Sequence, residues 1–387
     1  MKPLSYITET FTESVIREMT RISDSMGGLN LSQGFPDFNT PEIIKKAAIT
    51  AIINNKNQYP VTFGEPVLRQ AISDKVAKFN KIKVNPETEI TVTCGATEAM
   101  LATLMAIINP GDEVIIFQPF YENYGPDAIL SNAIPRYVNL MPPDWGIDYD
   151  ELSAAFNNKT KAIIINTPNN PTGKVFSNQD LQYIANLCLK WDVYAITDEI
   201  YEHIVYDGLK HISLASIDGM AERTVTINSI SKTYSVTGWR VGWAIANSKI
   251  TEKIRKVHDF FTVGAPSPFQ YAAAFILNFE DDYYKKLAAD YELSRNHIIE
   301  TLSNSVFVPY IPHGAYYVIA RVDELFDRIE AKDDFDFSRK LLQKTKVATV
   351  PGFSFYSEKK LITKTVRFAF CKKMETLEQL RKLLSEL

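Results

Sequence analysis

Residues 193–201 read VYAITDEIY, an apolar, β-rich run that ends on two carboxylates and a phenol. Such a run suits a strand covered on both faces, and the polar step at its carboxyl end suits a turn leaving the sheet. The same pattern recurs around it. Residues 162–166 (AIIIN) lead into Thr167-Pro168-Asn169-Asn170-Pro171-Thr172-Gly173, and residues 224–228 (TVTIN) lead into Ser229-Ile230-Ser231-Lys232. Residues 90–93 (ITVT) reach Gly95-Ala96-Thr97-Glu98. With a strand at 113–117 and helical periodicity at 98–108 and 178–190, this alternation predicts an α/β fold whose large domain is a mostly parallel sheet flanked by helices. In open sheets of this kind the ligand lies at the carboxyl ends of the strands, so all four turns are expected to line one crevice.

Further along, 250–261 and 281–302 predict helices, the second long enough to carry the chain into another domain. Strands at 315–320, 347–350 and 364–370, with helices at 335–344 and 377–384, predict a smaller α+β domain that the amino-terminal segment joins. The expected division is a large domain over 41–290 and a small one made of 1–40 and 291–387.

The 387 residues are enough for two such cores. A composition 45% hydrophobic and 23% charged, with a net charge of −4, gives no reason to expect a nucleic-acid partner. The first twelve residues hold no long apolar run, so no membrane partner is expected and a cytoplasmic location is the default. Cys94, Cys188 and Cys371 are odd in number and scattered, which suits reduced thiols in a core. The five histidines show no metal-ligand spacing, and neither a GxGxxG, a P-loop nor a GxSxG motif occurs.

Each turn carries residues with both a plain and a chemical reading. Gly95 before a helix allows a tight turn, and it also exposes helix N–H groups to an anion. Asp198, after four apolar residues, either caps the next helix or sits deep enough to need a cationic partner such as a protonated heteroaromatic nitrogen. Tyr201 is a packing residue or a phenol beside that ligand. Lys232 is a surface amine or, away from water, a nucleophile toward carbonyls, and Ser229 and Arg240 flanking it suit a phosphate. Arg367, in TVRFAF at 365–370, alternates against Val366, Phe368 and Phe370. It is either an exposed strand arginine or a clamp for a carboxylate.

Taken together, NLSQGFPDF (30–38), NQYPVTFG (57–64), CGATEA, NTPNNPTG, DEIYEH and SISKTYSVTGWRVGW resemble the class I aminotransferases of fold type I, over nearly the whole chain. Within that class, YDGLKHISLASIDGMAERT, RKVHDFF and RFAFCK resemble the kynurenine or glutamine transaminases and the bacterial methionine aminotransferases. The resemblance implies pyridoxal 5'-phosphate as cofactor. It makes Lys232 the Schiff-base lysine and proton shuttle, Asp198 the partner of the pyridine nitrogen, Asn170 and Tyr201 donors to the ring oxygen, and Tyr121 the ring's stacking partner. The phosphate would be held by Gly95, Ala96, Thr97, Ser229 and Arg240, with Tyr59 of the partner subunit, which implies a homodimer with shared active sites. Arg367, Asn170 and the Gly34 backbone would bind the substrate α-carboxylate.

The activity so implied is transamination of L-methionine, glutamine, an aromatic amino acid or kynurenine, with a 2-oxo acid as acceptor. Aspartate transamination is the rival, although it asks for a second cation and the sequence assigns only Arg367. A cysteine-S-conjugate β-lyase would use the same residues. A non-catalytic ligand-sensing module is the reading from another class, and no helix-turn-helix domain fits within 1–40 to support it.

Overall fold

The computed structural model describes residues 2–358, 360–385 and 387, so Met1, Lys359 and Glu386 of the expected smaller unit lie outside that description. The strands are β1 (Leu29–Asn30), β2 (Ile90–Thr93), β3 (Glu113–Gln118), β4 (Ile134–Met141), β5 (Gly146–Ile147), β6 (Thr160–Asn166) and β7 (Tyr194–Asp198). They continue as β8 (Thr224–Ser229), β9 (Gly242–Ile245), β10 (Val308–Pro309), β11 (Tyr317–Arg321), β12 (Val347–Ala348), β13 (Val350–Pro351) and β14 (Thr365–Ala369).

Eight strands form one sheet in the order β2-β9-β8-β7-β6-β3-β4-β5. From β8 through β4 neighbours run parallel, whereas β9 is antiparallel to both β2 and β8, and β5 is antiparallel to β4. Alternation along the strands sends Ile163, Ile165 and Ala195 to one face, against Leu181, Ile184 and Cys188 of helix Asn178–Trp191. Ile164, Ile196, Val225 and Ile227 go to the other, against Ala99, Met100 and Leu104 of helix Ala96–Ile107. Each fully buried isoleucine contributes roughly 1.5–3 kcal/mol, which is why near-continuous apolar runs end up central and parallel. Helix Asn178–Trp191 starts where Ser177 and Asp180 cap each other and stops at Asp192, whose backbone is left-handed.

A second sheet, β10-β11-β14-β13, is antiparallel. Its core takes Tyr291, Ile298 and Leu302 from helix Asp281–Ser303, Phe337 and Leu341 from helix Asp334–Thr345, and Leu377 and Leu380 from helix Met374–Leu384. Helix Asp281–Ser303 begins beside the cluster that covers the large sheet, where Tyr283 and Tyr284 pack on Tyr234, and ends in the small one. The amino-terminal segment joins this region through β1, which pairs in parallel with β12.

Two expectations need correction. The strand expected at 347–350 is two, because Val347 and Ala348 pair with β1 while Val350 and Pro351 pair with β14, so the chain changes sheets at Thr349. Strands β4 and β9 carry no signal that the sequence reading used. Strand β9 begins on the last two residues of the GWRVGW motif (238–243) and presses on the turn after β2, where a Cβ on Gly242 would lie 2.6 Å from the Ala96 nitrogen. Among the described residues no helix is long and apolar enough to cross a membrane.

The contact at Gly242 is backbone against backbone and has no flexible side chain to yield. Gly242→Ala is expected to destabilise the protein by about 1–3 kcal/mol, as overpacked sites do. A urea unfolding midpoint equal to that of the unsubstituted protein would contradict this packing.

Candidate active site

The sheet register places the candidate residues on one edge. Asn166 pairs with Asp198 across β6 and β7, and both Thr93 and Ser229 pair with Gly242. The four turns that follow these strands therefore open on one side, around a shared pocket open to solvent and lined by Thr97, Asn170, Asp198 and Lys232.

Asn166 organises the turn after β6. Its Nδ2 donates to the Asp198 carbonyl at 3.0 Å, while its Oδ1 accepts the Asn170 N–H at 2.7 Å. Asn169 accepts from both the N–H and the hydroxyl of Thr172, at 3.1 and 2.8 Å, which closes the loop on itself. Gly173 ends it with φ +72°, and a Cβ there would meet Pro312 at 2.2 Å. Asn170 is thereby held over the pocket.

Asp198 is buried at the end of β7. The Tyr124 hydroxyl donates to its Oδ2 at 2.7 Å, and the Ile200 N–H reaches Oδ1 at 3.4 Å. Burial pushes the carboxyl up to about 6, with Tyr124, Ile200 and the nearby Lys232 pulling the other way. The turn behind it is fixed by the ion pair of Lys75 with buried Glu202, to which Asn80 and Asn228 also donate. Glu199, Glu202 and His211 come within 4.8 Å of one another. Their carboxylates accept from Lys75, Thr197, Ser213 and His211, so protein groups already use them.

Lys232 follows β8 in a turn and points its amine into the same pocket. Nζ donates to the Gly34 carbonyl at 3.2 Å and lies 5.8 Å from the Tyr201 ring centre and 5.7 Å from that of Tyr316. Burial drives its pKa down to about 8, the Arg367 and Arg240 charges acting the same way and Cys371 and Asp198 opposing them. The amine is thus neutral far more often near neutral pH than that of an ordinary lysine.

The turn after β2 forms the anion-friendly end. Gly95 has φ +83°, and a Cβ on it would fall 2.2 Å from the Arg240 guanidinium. No side chain caps the helix that begins at Ala96, leaving the first N–H groups without intrahelical acceptors. Arg240, exposed and itself left-handed at φ 54°, donates to the carbonyls of Thr237 and Cys94 at 3.1 and 3.2 Å. Ala96, Thr97, Ser229 and Arg240 all line the pocket there.

Arg367 is 1% exposed, which rules out the exposed-strand reading. Its guanidinium donates to Asn170 Oδ1 at 2.8 Å and to the Ser32 carbonyl, and lies 4.2 Å from the Tyr317 ring centre and 4.9 Å from that of Phe355. Its Nε is buried without a partner. Gly34 lies beside it, so close to Tyr317 that a Cβ would fall 1.8 Å from the phenol oxygen.

Tyr121 lines the pocket edge-on to Tyr124, their centroids 5.7 Å apart, and the Tyr201 hydroxyl meets that of Tyr317 at 3.1 Å. Of the sequence candidates Tyr59 stands apart, 85% exposed and away from both pocket and cleft, whereas Gly34 and Arg367 line the adjoining cleft and Gly95 immediately precedes the lining residue Ala96. Among the lining residues that the sequence reading did not assign to the site are Tyr124, Asp127, Asn166 and Tyr317. Asn166 ends a read strand and was findable. Asp127 carries no sequence signal. Burial raises its carboxyl to about 7, and its Oδ2 has no partner.

The family described as aminotransferase class I and II matches residues 27–384. Kynurenine--oxoglutarate transaminase 3 of Mus musculus is 36% identical over 96% of this chain and 87% of its own length. The solved N-succinyldiaminopimelate aminotransferase of Mycobacterium tuberculosis superimposes with TM-score 0.94 at 35% identity, covering 100% of both chains. An Escherichia coli structure identified with a methionine aminotransferase function gives TM-score 0.94 at 32% identity, again over 100% of both. The chain belongs to the class I and II aminotransferases, and its activity is transamination.

The raised Asp198 pKa has a stability consequence of definite sign. Because the fold prefers this carboxyl protonated, it costs nothing below about pH 4 and its full penalty above about pH 6. Asp198→Asn keeps an acceptor for Tyr124 and is expected to stabilise the cofactor-free protein by about 3 kcal/mol at pH 7.5, vanishing near pH 4. Thermal unfolding at the two pH values checks this, and an equal Tm at pH 7.5 would refute the buried, uncompensated charge.

Proposed function

We propose that this aminotransferase uses pyridoxal 5'-phosphate to move the amino group of L-methionine, glutamine, an aromatic amino acid or kynurenine onto a 2-oxo acid. The observation that carries the reading is a lysine amine and a buried carboxylate facing one pocket, each hydrogen-bonded to a neutral group instead of to the other. Asp198 lacks the cation that burial demands, and a protonated pyridine nitrogen would supply it. The cradle of Gly95, Ala96, Thr97, Ser229 and Arg240 fits a phosphate dianion. Tyr121 would flank the ring, and Asn170 and Tyr201 would donate to its oxygen. The exposed Tyr59 would reach the phosphate of the partner subunit in a cytoplasmic homodimer. The crevice would lie between a large domain over 41–290 and a small one of 1–40 with 291–387.

When bound, the cofactor supplies the electron sink for the Cα–H bond that breaks. The protein's share is proton handling and orientation. Arg367, with its unpartnered Nε and the fork already fixed by Asn170 and Ser32, would grip the α-carboxylate beside Gly34. That grip aims the Cα proton toward Lys232. An amine titrating near pH 8 is a competent base in its neutral form and a competent acid once protonated, so one residue can take the proton and return it. Asp198, kept ionised by the facing ring nitrogen, would hold that nitrogen's positive charge in place.

Lys232→Ala, reconstituted with pyridoxal phosphate, is expected to lose the visible absorption of the covalent adduct and at least about 10²–10⁴-fold of its amino transfer from methionine or kynurenine. Retention of turnover in that variant would defeat the reading. Cofactor uptake by the unsubstituted protein is expected to rise with pH and level off above about 8, where the Lys232 amine is neutral. A donor screen of methionine, glutamine, kynurenine, phenylalanine and aspartate fixes specificity, and an exclusive aspartate response would displace the substrates named.

A further inference from the structure

The turn that offers N–H groups to an anion also carries an anion of its own. Glu98 stands in the first turn of helix Ala96–Ile107, next to Thr97 of the pocket lining, with its side chain 8% exposed. A carboxylate in that place is what the positive end of a helix attracts. Unpartnered, it would take up that attraction and repel a phosphate arriving at Ala96 and Thr97. Glu98 is instead surrounded by donors. The Cys94 N–H and the Thr262 hydroxyl donate to it, the latter at 2.8 Å, and His258 Nδ1 lies 2.7 Å away.

His258 belongs to helix Ser248–Thr262, which packs through Ile250 and Ile254 into the cluster that holds Ala99 and Leu104, and its side chain is fully buried. Its other nitrogen, Nε2, meets the Thr62 carbonyl at 2.8 Å. A carbonyl and an ionised carboxylate can only accept, so both ring nitrogens must donate, and an imidazole that donates from both is a cation. Burial opposes charge on either group, but the hydrogen bond to the partner and the partner's opposite charge outweigh it. The histidine is accordingly raised, and the carboxyl lowered, from its ordinary value.

The pair also joins segments of the chain. Thr62 comes three residues after the exposed Tyr59, and Pro60 sits against Gly264, where a Cβ would fall 2.8 Å from its ring. Cys94 Sγ faces the Gly264 carbonyl at 3.8 Å. His258 thus stands where the anion-binding turn, the end of its own helix and the Tyr59 segment meet, although it lines neither the pocket nor the cleft.

We propose that His258 is a positioning residue for the phosphate end of the site: its imidazolium cancels the Glu98 charge, leaving the helix N-terminus free to attract a phosphate, and pins the Tyr59 segment to the same turn. This rests on the pyridoxal phosphate reading above and concerns how the chain prepares the anion site.

The test compares binding of pyridoxal 5'-phosphate with that of pyridoxal, which lacks the phosphate, to the full-length protein freed of cofactor at pH 7.5. The ratio of the two dissociation constants isolates the phosphate grip, because a general loosening of the fold weakens both ligands alike. In His258→Gln, whose amide bonds only as a neutral group, the preference for the phosphorylated ligand is expected to fall by about tenfold. Adding Glu98→Gln removes the uncancelled charge and is expected to bring the preference back to within about threefold of the unsubstituted protein. A preference unchanged in His258→Gln, or one that the second substitution does not restore, overturns the proposal. Without any variant, nitrogen NMR of the unsubstituted protein should show both His258 ring nitrogens protonated at pH 7.5, and a neutral ring overturns it equally. An unsubstituted protein that binds pyridoxal 5'-phosphate no better than pyridoxal would sink the cofactor reading itself, and this inference with it.

Discussion

The site depends on a carboxylate taken out of water without a cation to meet it. Asp198 sits at the end of a strand covered on both faces, and the groups around it are arranged to hold it there. Tyr124 donates to it, and Asn166 fixes its carbonyl. The Lys75–Glu202 ion pair stiffens the turn that follows. The parallel register then brings the neighbouring strand ends to the same depth, so the lysine, the helix N-terminus and the asparagine loop need only short turns to face it. An unpaired buried charge is costly, and such costs persist in a fold where function uses them.

Much of this was legible in the sequence because it is local. Each apolar run is followed within a few residues by its polar turn, and strand, turn and helix constrain one another over about ten positions. Gly95, Asp198, Ser229 and Lys232 therefore fall on one edge on sequence pattern alone, and helix Asp281–Ser303 agrees with the expected 281–302 almost to the residue. Arg367 shows where such reasoning stops. Alternation sets it opposite Val366 and Phe368 but does not tell which face is covered, and the covering groups, Ser32, Asn170 and Phe355, come from three distant segments. Strand β9 is only four residues long and holds a glycine and an alanine, both poor strand formers, and its place in the sheet is set by the close approach to Ala96.

Asp127 was invisible for the opposite reason. It lies on a short segment where a charged residue is ordinarily a solvated one, and only the assembled pocket shows it buried with its Oδ2 unpartnered among the described residues.

The hydrogen bond from Lys232 to the Gly34 carbonyl joins the edge of the large sheet to the segment that supports Arg367. It acts as a latch whose bolt is a single amine. Were that nitrogen engaged elsewhere, the Tyr316 hydroxyl, 3.0 Å away, would be the remaining hydrogen bond to the Gly34 carbonyl among the described residues. The chemical state of one side chain would then be felt, as slack or tension, in the segment whose Ser32 carbonyl holds Arg367.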